Sequence, residues 1–177
     1  MPIKHQKTLH MESAPHTLFL FGLAGSGKSY VGNLIASQTG WFVYHADEDI
    51  TDDMRQALAE HRPFTDEMRD DYFALIVENI RALQPDHSHL LVTQAVYKQR
   101  HRELLMSHIP DMEMIYVRAD DTVIENRLSA REGETSAKSA AALRKDFELP
   151  SGAYKTLVNN KGDAEIIRQL NGFYTKP

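Results

Sequence analysis

One loop near the start of the chain constrains its fold more than any other feature. Residues 22–29 read Gly-Leu-Ala-Gly-Ser-Gly-Lys-Ser and match the pattern Gly-x-x-x-x-Gly-Lys-[Ser/Thr]. An apolar run that favours a strand, residues 17–21, precedes the loop, and residues 30–36 continue in a helical pattern. In a strand–loop–helix unit of this kind, backbone N–H groups and the positive end of the helix dipole hold phosphate groups. The pattern therefore predicts a phosphate-binding loop, and the alternative is a chance glycine turn beside a lysine.

Two side chains of the loop supply the chemistry that nucleotide binding needs. Lys28 gives a point charge to the β- and γ-phosphates, and the hydroxyl of Ser29 binds Mg²⁺. We therefore expect ATP and Mg²⁺ as cofactors and Lys28 as a catalytic residue. The expected nucleotide-binding residues of the loop are Gly22, Ala24, Gly25, Ser26, Gly27, Lys28 and Ser29.

The composition narrows the range of partners. The chain has 177 residues, which suits a single domain, and its net charge of −5 argues against nucleic acid as a partner. It contains no cysteine, so disulfides and thiolate metal sites are excluded. We expect a small-molecule substrate and a monomer or homodimer.

No targeting or membrane segment is visible in the sequence. No apolar run approaches the roughly 20 residues of a membrane span. Residues 1–16 are polar and carry scattered histidines, without the apolar core of a signal peptide. The sequence therefore predicts a cytoplasmic protein with no membrane partner, in which residues 1–16 form a flexible segment.

Beyond the loop, strand and helix patterns alternate to the end of the chain. The expected strands are residues 17–21, 41–45, 89–93, 112–117 and 154–159. The expected helices are residues 49–60, one capped by Thr65, 98–107, 121–131, one ending at Glu148, and one capped by Asp163. Strands joined by helical crossovers form a parallel sheet covered on both faces. The sequence thus predicts an α/β protein, a three-layer α/β/α sandwich with a five-stranded parallel sheet, as one domain over residues 17–177.

Four stretches, in the same order, resemble gluconate kinases. They are the loop itself, Arg-Pro-Phe-Thr-Asp-Glu-Met-Arg at 62–69, the basic stretch at 97–105, and 115–133 with its Arg-Leu-x-x-Arg-x-Gly element. The resemblance covers about residues 17–150, and shikimate kinases and nucleoside monophosphate kinases share the fold. It implies a P-loop kinase with a mobile lid at about residues 132–140.

The sequence departs from that family mainly where the acceptor would bind. The family's Asp-Gly-Asp after the second strand is His45-Ala46-Asp47 here, and its serine-alanine pair after the third strand is Ala95-Val96. Its His-Pro falls on Ile50 and Thr51, and its asparagine falls on Met54. The family's lid continues Gly-His-Phe, whereas Gly133 is followed by Glu134 and Thr135. These differences predict an acceptor whose shape differs from that of gluconate.

Asp47 is the candidate catalytic carboxylate. It follows the second strand at the sheet edge where ligands bind in open α/β folds. The resemblance places the family's second aspartate here, and implies that Asp47 accepts the proton of the acceptor hydroxyl or orients it with a Mg²⁺-bound water. Asp47 and Ser29 are then the expected metal ligands. The alternative is that Asp47 caps the following helix.

Basic residues are the candidates for anion binding, because guanidinium groups bond two oxygens at once. The resemblance implies that Arg131 reaches the transferring phosphate from the base of the lid and that Arg127 contacts the adenine or α-phosphate side. It also implies that Arg69, and the pair Lys98 and Arg102, bind the acceptor. The alternative for each is an ordinary charge on a helix surface.

Asn159 completes the expected site, because it ends the fifth strand where such folds contact adenine; a simple turn is the alternative. The function that these residues favour is a phosphotransferase of carbohydrate metabolism. It would move the γ-phosphate of ATP to a hydroxyl of a small anionic acceptor such as a gluconate-like sugar acid. A nucleotide or nucleoside kinase, and an ATP-binding regulator without turnover, stay open.

Overall fold

Five parallel strands form the centre of the molecule. The structure is a computed structural model that describes residues 8–131 and 144–177. The strands are β1 (Thr17–Phe21), β2 (Phe42–His45), β3 (Leu90–Thr93), β4 (Met112–Arg118) and β5 (Lys155–Val158). They lie in the order β2-β3-β1-β4-β5, with every pair parallel. The predicted sheet is confirmed, and β1 with the loop that follows it lies in its middle.

Six helices in the described residues connect the strands. They are α1 (Lys28–Thr39), α2 (Asp52–Ala59), α3 (Asp66–Leu83), α4 (Gln99–His108), α5 (Asp121–Ala130) and α6 (Asp163–Tyr174). Thr65 caps α3 as predicted, since its side chain accepts a hydrogen bond from the backbone of Met68 at 3.1 Å. Two expectations were wrong in detail. The helix expected at residues 49–60 is a 3-10 turn, Ala46–Asp49, followed by α2, and Gly162 rather than Asp163 occupies the cap of α6.

Both faces of the sheet are covered, which confirms the three-layer sandwich. Side chains alternate across β1, because successive residues of a strand point to opposite faces. Phe19 and Phe21 belong to the core cluster that includes α3, whereas Leu18 and Leu20 belong to the cluster that includes α1 and α6. All four are fully buried.

Residues 8–16 differ from the flexible segment that the sequence predicts. Met11 is buried against the sheet, and the backbone N–H of Ser13 donates to the carbonyl of Tyr174 at 3.0 Å. The backbone N–H of His10 donates to the side chain of Asn171 at 2.7 Å. Residues 8–16 are therefore attached to α6 rather than free.

Two predictions concern residues outside the described ranges. The expected lid at residues 132–140, and most of the helix expected before Glu148, lie outside the described residues. Within the described ranges, no helix combines the length and the apolar character needed to cross a membrane.

Candidate active site

The loop between β1 and α1 has the shape that its glycines predict. Gly27, the residue before α1, has φ 89°, a backbone conformation that residues other than glycine rarely adopt. A Cβ atom on Gly22 would lie 2.2 Å from the carbonyl oxygen of Val117, and one on Gly27 would lie 2.2 Å from the side chain of Asn159. The backbone of the loop is thus packed closely against β4 and the residue after β5, which leaves its inner side for a ligand.

Two residues expected to touch the nucleotide support the loop instead. Asn159 is buried, and its Nδ2 donates to the carbonyl of Ser26 at 3.0 Å. Arg127 donates to the carbonyls of Gly25 at 3.1 Å and Asn159 at 2.7 Å. Both side chains are hydrogen-bonded to the backbone behind the loop, and neither lines the cavity in front of it. The predicted contacts of Arg127 and Asn159 with the nucleotide are corrected accordingly.

Lys28 lies at the base of that cavity. Its Nζ donates to the carbonyl of Leu23 at 2.9 Å, so the ammonium group is held across the loop. Desolvation lowers the pKa of Lys28 to about 8, opposed by the carboxylate of Asp47 and reinforced by the cation of Arg131. The loop therefore holds a cation whose charge is poorly compensated until an anion arrives.

A cavity of about 270 Å³ opens in front of the loop. It is lined by Ala24, Gly25, Gly27, Lys28, Ser29, Tyr30, Asp47, Thr93, Gln94, Ala95, Tyr97 and Arg131. Most of the predicted nucleotide residues are brought together here. Gly22 and Ser26 form the loop without lining the cavity, and the hydroxyl of Ser26 is buried with no hydrogen-bond partner in the described residues.

A second cavity, of about 330 Å³, lies on the α2–α3 side of the sheet edge. Its lining consists of Asp47, Ile50, Met54, Leu58, Phe64, Arg69, Tyr72, Phe73, Gln94, Val96, Tyr97 and His101. Most of these side chains are apolar or aromatic, and a few polar groups converge among them, which is the usual character of a small-molecule site. We refer to the two spaces as the loop cavity and the acceptor cavity.

Three residues line both cavities: Asp47, Gln94 and Tyr97. Asp47 was predicted at this place, whereas sequence reasoning missed Gln94 and Tyr97. Gln94 is fixed by its neighbours, since its Oε1 accepts from the backbone of Ala95 and its Nε2 donates to the hydroxyl of Tyr72. The only sequence signal for Gln94 was a polar residue directly after a buried apolar strand.

Arg69, which the sequence predicts to bind the acceptor, lines the acceptor cavity. Its side chain is 7% exposed, and its Nη2 donates to Asp146 at 2.9 Å. Its Nε is buried without a hydrogen-bond partner in the described part of the chain. Its Nη1 lies 3.9 Å from the carboxylate of Asp66, so the guanidinium lies between two carboxylates.

His101, which sequence reasoning missed, also lines the acceptor cavity. Its Nε2 pairs with the carboxylate of Asp70 at 2.8 Å, and its ring stacks on that of Phe73 with centroids 4.4 Å apart. Burial lowers the pKa of His101, and the hydrogen bond to Asp70 opposes that shift. No motif singles out this histidine, because its contacts come from a different helix.

Lys98 and Arg102, expected to bind the acceptor, line neither cavity. Lys98 lies 3.7 Å from the carboxylate of Glu148. Arg102 is completely buried and donates to the carbonyls of Val96 at 3.0 Å, Tyr97 at 3.2 Å and Glu148 at 2.7 Å. The prediction is corrected for both residues: Arg102 fixes the backbone that carries the cavity wall, and does not face the cavity.

The expected metal ligands lie in the same place. Ser29 and Asp47 both line the loop cavity. Among the described residues, no three or more histidine, cysteine, aspartate or glutamate side chains come together in a group that could hold a metal ion. Two protein oxygens nevertheless suit Mg²⁺, which usually keeps waters and phosphate oxygens as its other ligands.

A parallel sheet with a glycine-rich loop after its central strand, and an adjoining cavity that shares an aspartate, defines a P-loop kinase. Residues 14–147 match the model of the family described as adenylylsulphate kinase, and the chain belongs to that family.

The chain is also similar to individual kinases in sequence and in structure. The thermoresistant gluconokinase of Escherichia coli (strain K12) is 32% identical over 123 residues, which are 67% of this chain and 67% of that relative. Among solved structures, a sugar kinase from Janibacter sp. HTCC2649 has a TM-score of 0.76 at 21% identity, over 89% of this chain and 92% of that one. A gluconokinase from Sinorhizobium meliloti 1021 has a TM-score of 0.73 at 22% identity, over 90% of each chain. The resemblance to gluconate kinases is confirmed, and the two structures share the fold.

Proposed function

We propose that the protein is a kinase that transfers the γ-phosphate of ATP to a hydroxyl of a small anionic acceptor, with a gluconate-like sugar acid as the favoured class. One observation carries this proposal: Asp47 lines both the loop cavity and the acceptor cavity. A carboxylate at this junction can meet the acceptor hydroxyl where the phosphoryl group arrives. The similarity to a gluconokinase supports the choice of acceptor class.

The residues that line the loop cavity have the chemical groups needed to bind MgATP. Its glycines leave the backbone N–H groups accessible, and the desolvated ammonium of Lys28 lacks a full counter-charge. Ser29 and Asp47 would hold Mg²⁺, which offsets negative charge on the transferring group. Arg131 lines the same cavity and would neutralise the transferring phosphoryl group.

The proposed transfer needs little covalent chemistry from the protein. The acceptor hydroxyl oxygen forms a bond to the γ-phosphorus, the bond from that phosphorus to the bridging oxygen of ADP breaks, and the hydroxyl proton passes to Asp47. Arg69, whose side chain lines the acceptor cavity, would bind the anionic group of the acceptor.

A second candidate is a nucleotide acceptor. The aromatic side chains of Phe64, Phe73 and Tyr97 in the acceptor cavity favour it, because they could pack against a base. The family name, adenylylsulphate kinase, points in the same direction.

An acceptor-dependent ADP-release assay tests these alternatives. We expect ADP release with D-gluconate or another sugar acid, and little release with shikimate, AMP or adenylylsulphate. Turnover only with a nucleotide would establish the second candidate. Tight ATP binding without turnover of any acceptor would indicate a nucleotide-binding regulator.

The Asp47→Asn variant tests the proposed base. Loss of a positioned base lowers kcat by about 10²- to 10⁴-fold, and we expect a fall of that order with little change in melting temperature. Glu48→Gln is the control, since Glu48 is the exposed carboxylate next along the chain and lines neither cavity. Equal activity of Asp47→Asn and Glu48→Gln would refute the role of Asp47.

A further inference from the structure

Tyr30 is an exposed aromatic side chain that lines the loop cavity. It is 54% exposed, and of the large apolar side chains that are exposed in the described residues it alone lines either of the two cavities. It is the third residue of α1 and directly follows Ser29, so it lies beside the groups expected to hold the phosphates. The ring therefore adds little to the hydrophobic core and is available to a ligand.

A hydrogen bond determines where this side chain lies. The hydroxyl of Tyr30 donates to the carboxylate of Asp163, the first residue of α6. That hydrogen bond raises the pKa of Tyr30, so the phenol stays neutral and does not repel a triphosphate. The side chain thus spans the distance between the start of α1 and the start of α6, and both of its ends are held.

The strand order places this anchor on the side of the loop opposite to Asp47. β1 and the loop lie in the centre of the sheet, β2 leads to Asp47 at one edge, and β5 leads to α6 at the other. Under the proposed function the γ-phosphate lies towards Asp47, because the acceptor cavity is on that side. A triphosphate bound along the loop then directs its nucleoside towards β5 and α6, where the hydroxyl of Tyr30 is bound.

The two residues that the sequence assigns to this end of the nucleotide are engaged elsewhere. Arg127 and Asn159 are hydrogen-bonded to the backbone of the loop and do not line the cavity. We propose that the ring of Tyr30, held by Asp163, packs against the base of the nucleotide and forms the base-binding wall of the loop cavity. This inference rests on the ATP binding that the proposed function includes, and it adds a residue that contacts the base.

Calorimetric binding of three ligands separates contact with the base from contact with the phosphates. The probes are MgATP, MgGTP and magnesium triphosphate, which carries the phosphates without a nucleoside. Stacking of a base on an aromatic side chain contributes about 1–3 kcal/mol, or roughly 5- to 150-fold in Kd, and tolerates different bases. We therefore expect Tyr30→Ala to raise the Kd of MgATP and of MgGTP by similar factors in that range, and to leave the Kd of magnesium triphosphate within about twofold.

Two further variants serve as controls. Tyr30→Phe keeps the ring and loses only the hydrogen bond to Asp163, so it should retain most of the affinity for both nucleotides. Phe42→Ala removes another exposed aromatic ring, which is 41% exposed and begins β2 at the end of the sheet away from the loop. It should change none of the three Kd values. Equal losses in Tyr30→Phe and Tyr30→Ala would show that Tyr30 only ties α1 to α6, and would overturn the inference.

The same measurements distinguish this inference from the proposed function. Loss of nucleotide affinity in Tyr30→Ala, in a protein that phosphorylates no acceptor, would support the inference and refute the kinase proposal. Equal wild-type Kd values for MgATP and magnesium triphosphate would overturn the inference and leave the phosphate site in place. A loss in Tyr30→Ala that is as large for magnesium triphosphate as for MgATP would also overturn it, because the side chain would then act on the phosphates.

Discussion

At the scale of single residues, Lys28 links nucleotide binding to pH. Its pKa in the ligand-free protein is about 8, because burial removes water from the ammonium group. A bound triphosphate would favour the charged form and raise this pKa. Between the two pKa values, binding takes up a proton, so MgATP affinity should be constant below pH 8 and fall by up to tenfold per pH unit above it.

Calorimetric titration with MgATP from pH 7 to pH 9.5 measures this dependence. Lys28→Arg is the control, because a guanidinium stays protonated throughout that range. Its affinity should be lower at pH 7 but independent of pH. A wild-type affinity that stays flat up to pH 9.5 would contradict the assignment of the phosphate site.

Arg102 lies in a stretch that resembles gluconate kinases, but its contacts stabilise the fold. It is fully buried, donates to three backbone carbonyls, and lies 4.9 Å from the ring centroids of Phe21 and of Phe147. Hydrogen bonds to charged groups contribute about 1.5–3 kcal/mol each. Arg102→Met should therefore lower the free energy of unfolding by about 3 kcal/mol or more, measured by urea denaturation. Arg100→Met removes an exposed cation from the same helix and should cost under about 1 kcal/mol.

At the scale of elements, the segment before β1 is part of the folded domain. Met11 is 7% exposed and packs in the cluster that contains α1 and α6. Truncating a buried methionine to alanine typically costs about 2–5 kcal/mol, and we expect about 2 kcal/mol for Met11→Ala at this edge of the core. Met106, 41% exposed, is the matched control, and its alanine variant should unfold at the same urea concentration as wild type.

The contrast between β1 and the segment before it shows what the sequence could predict. The strand could be predicted because four of its five residues are apolar, as expected for a strand that is buried on both faces of a parallel sheet. The contacts of His10 and Ser13 are made with α6, about 160 residues further along the chain, and no local pattern reports them. Secondary structure here follows from neighbours in sequence, whereas attachment of a polar segment follows from tertiary contacts.

The same distinction applies to the site. Lys28 and Ser29 could be assigned to the loop from the sequence because the geometry of the loop is local and its glycines are required, and both residues line the loop cavity. Arg102 was misassigned because its role depends on carbonyls at Val96 and Glu148 that only the fold brings together. His101 was missed for the same reason, since its partner Asp70 belongs to another helix.

At the scale of the whole molecule, the sheet edge divides the site into two cavities with different chemistry. The loop cavity takes its charge from Lys28 and Arg131, while the acceptor cavity holds Arg69 among apolar side chains. Asp47, Gln94 and Tyr97 form the wall between them. Because Arg69 lines only the acceptor cavity, its substitution should change the KM of the acceptor and not that of ATP.

Arg69→Met tests this division of the site. Methionine keeps much of the apolar volume but removes the charge, so the acceptor KM should rise by about tenfold or more, as expected for a charge-assisted hydrogen bond. The ATP KM should stay within about twofold. Asn159→Ala is the reciprocal variant, because the side chain of Asn159 donates to the carbonyl of Ser26 and does not line the acceptor cavity; it should raise the ATP KM and leave the acceptor KM nearly unchanged. Steady-state kinetics with each substrate varied in turn measures both, and parallel changes in the two KM values of Arg69→Met would contradict the two-cavity arrangement.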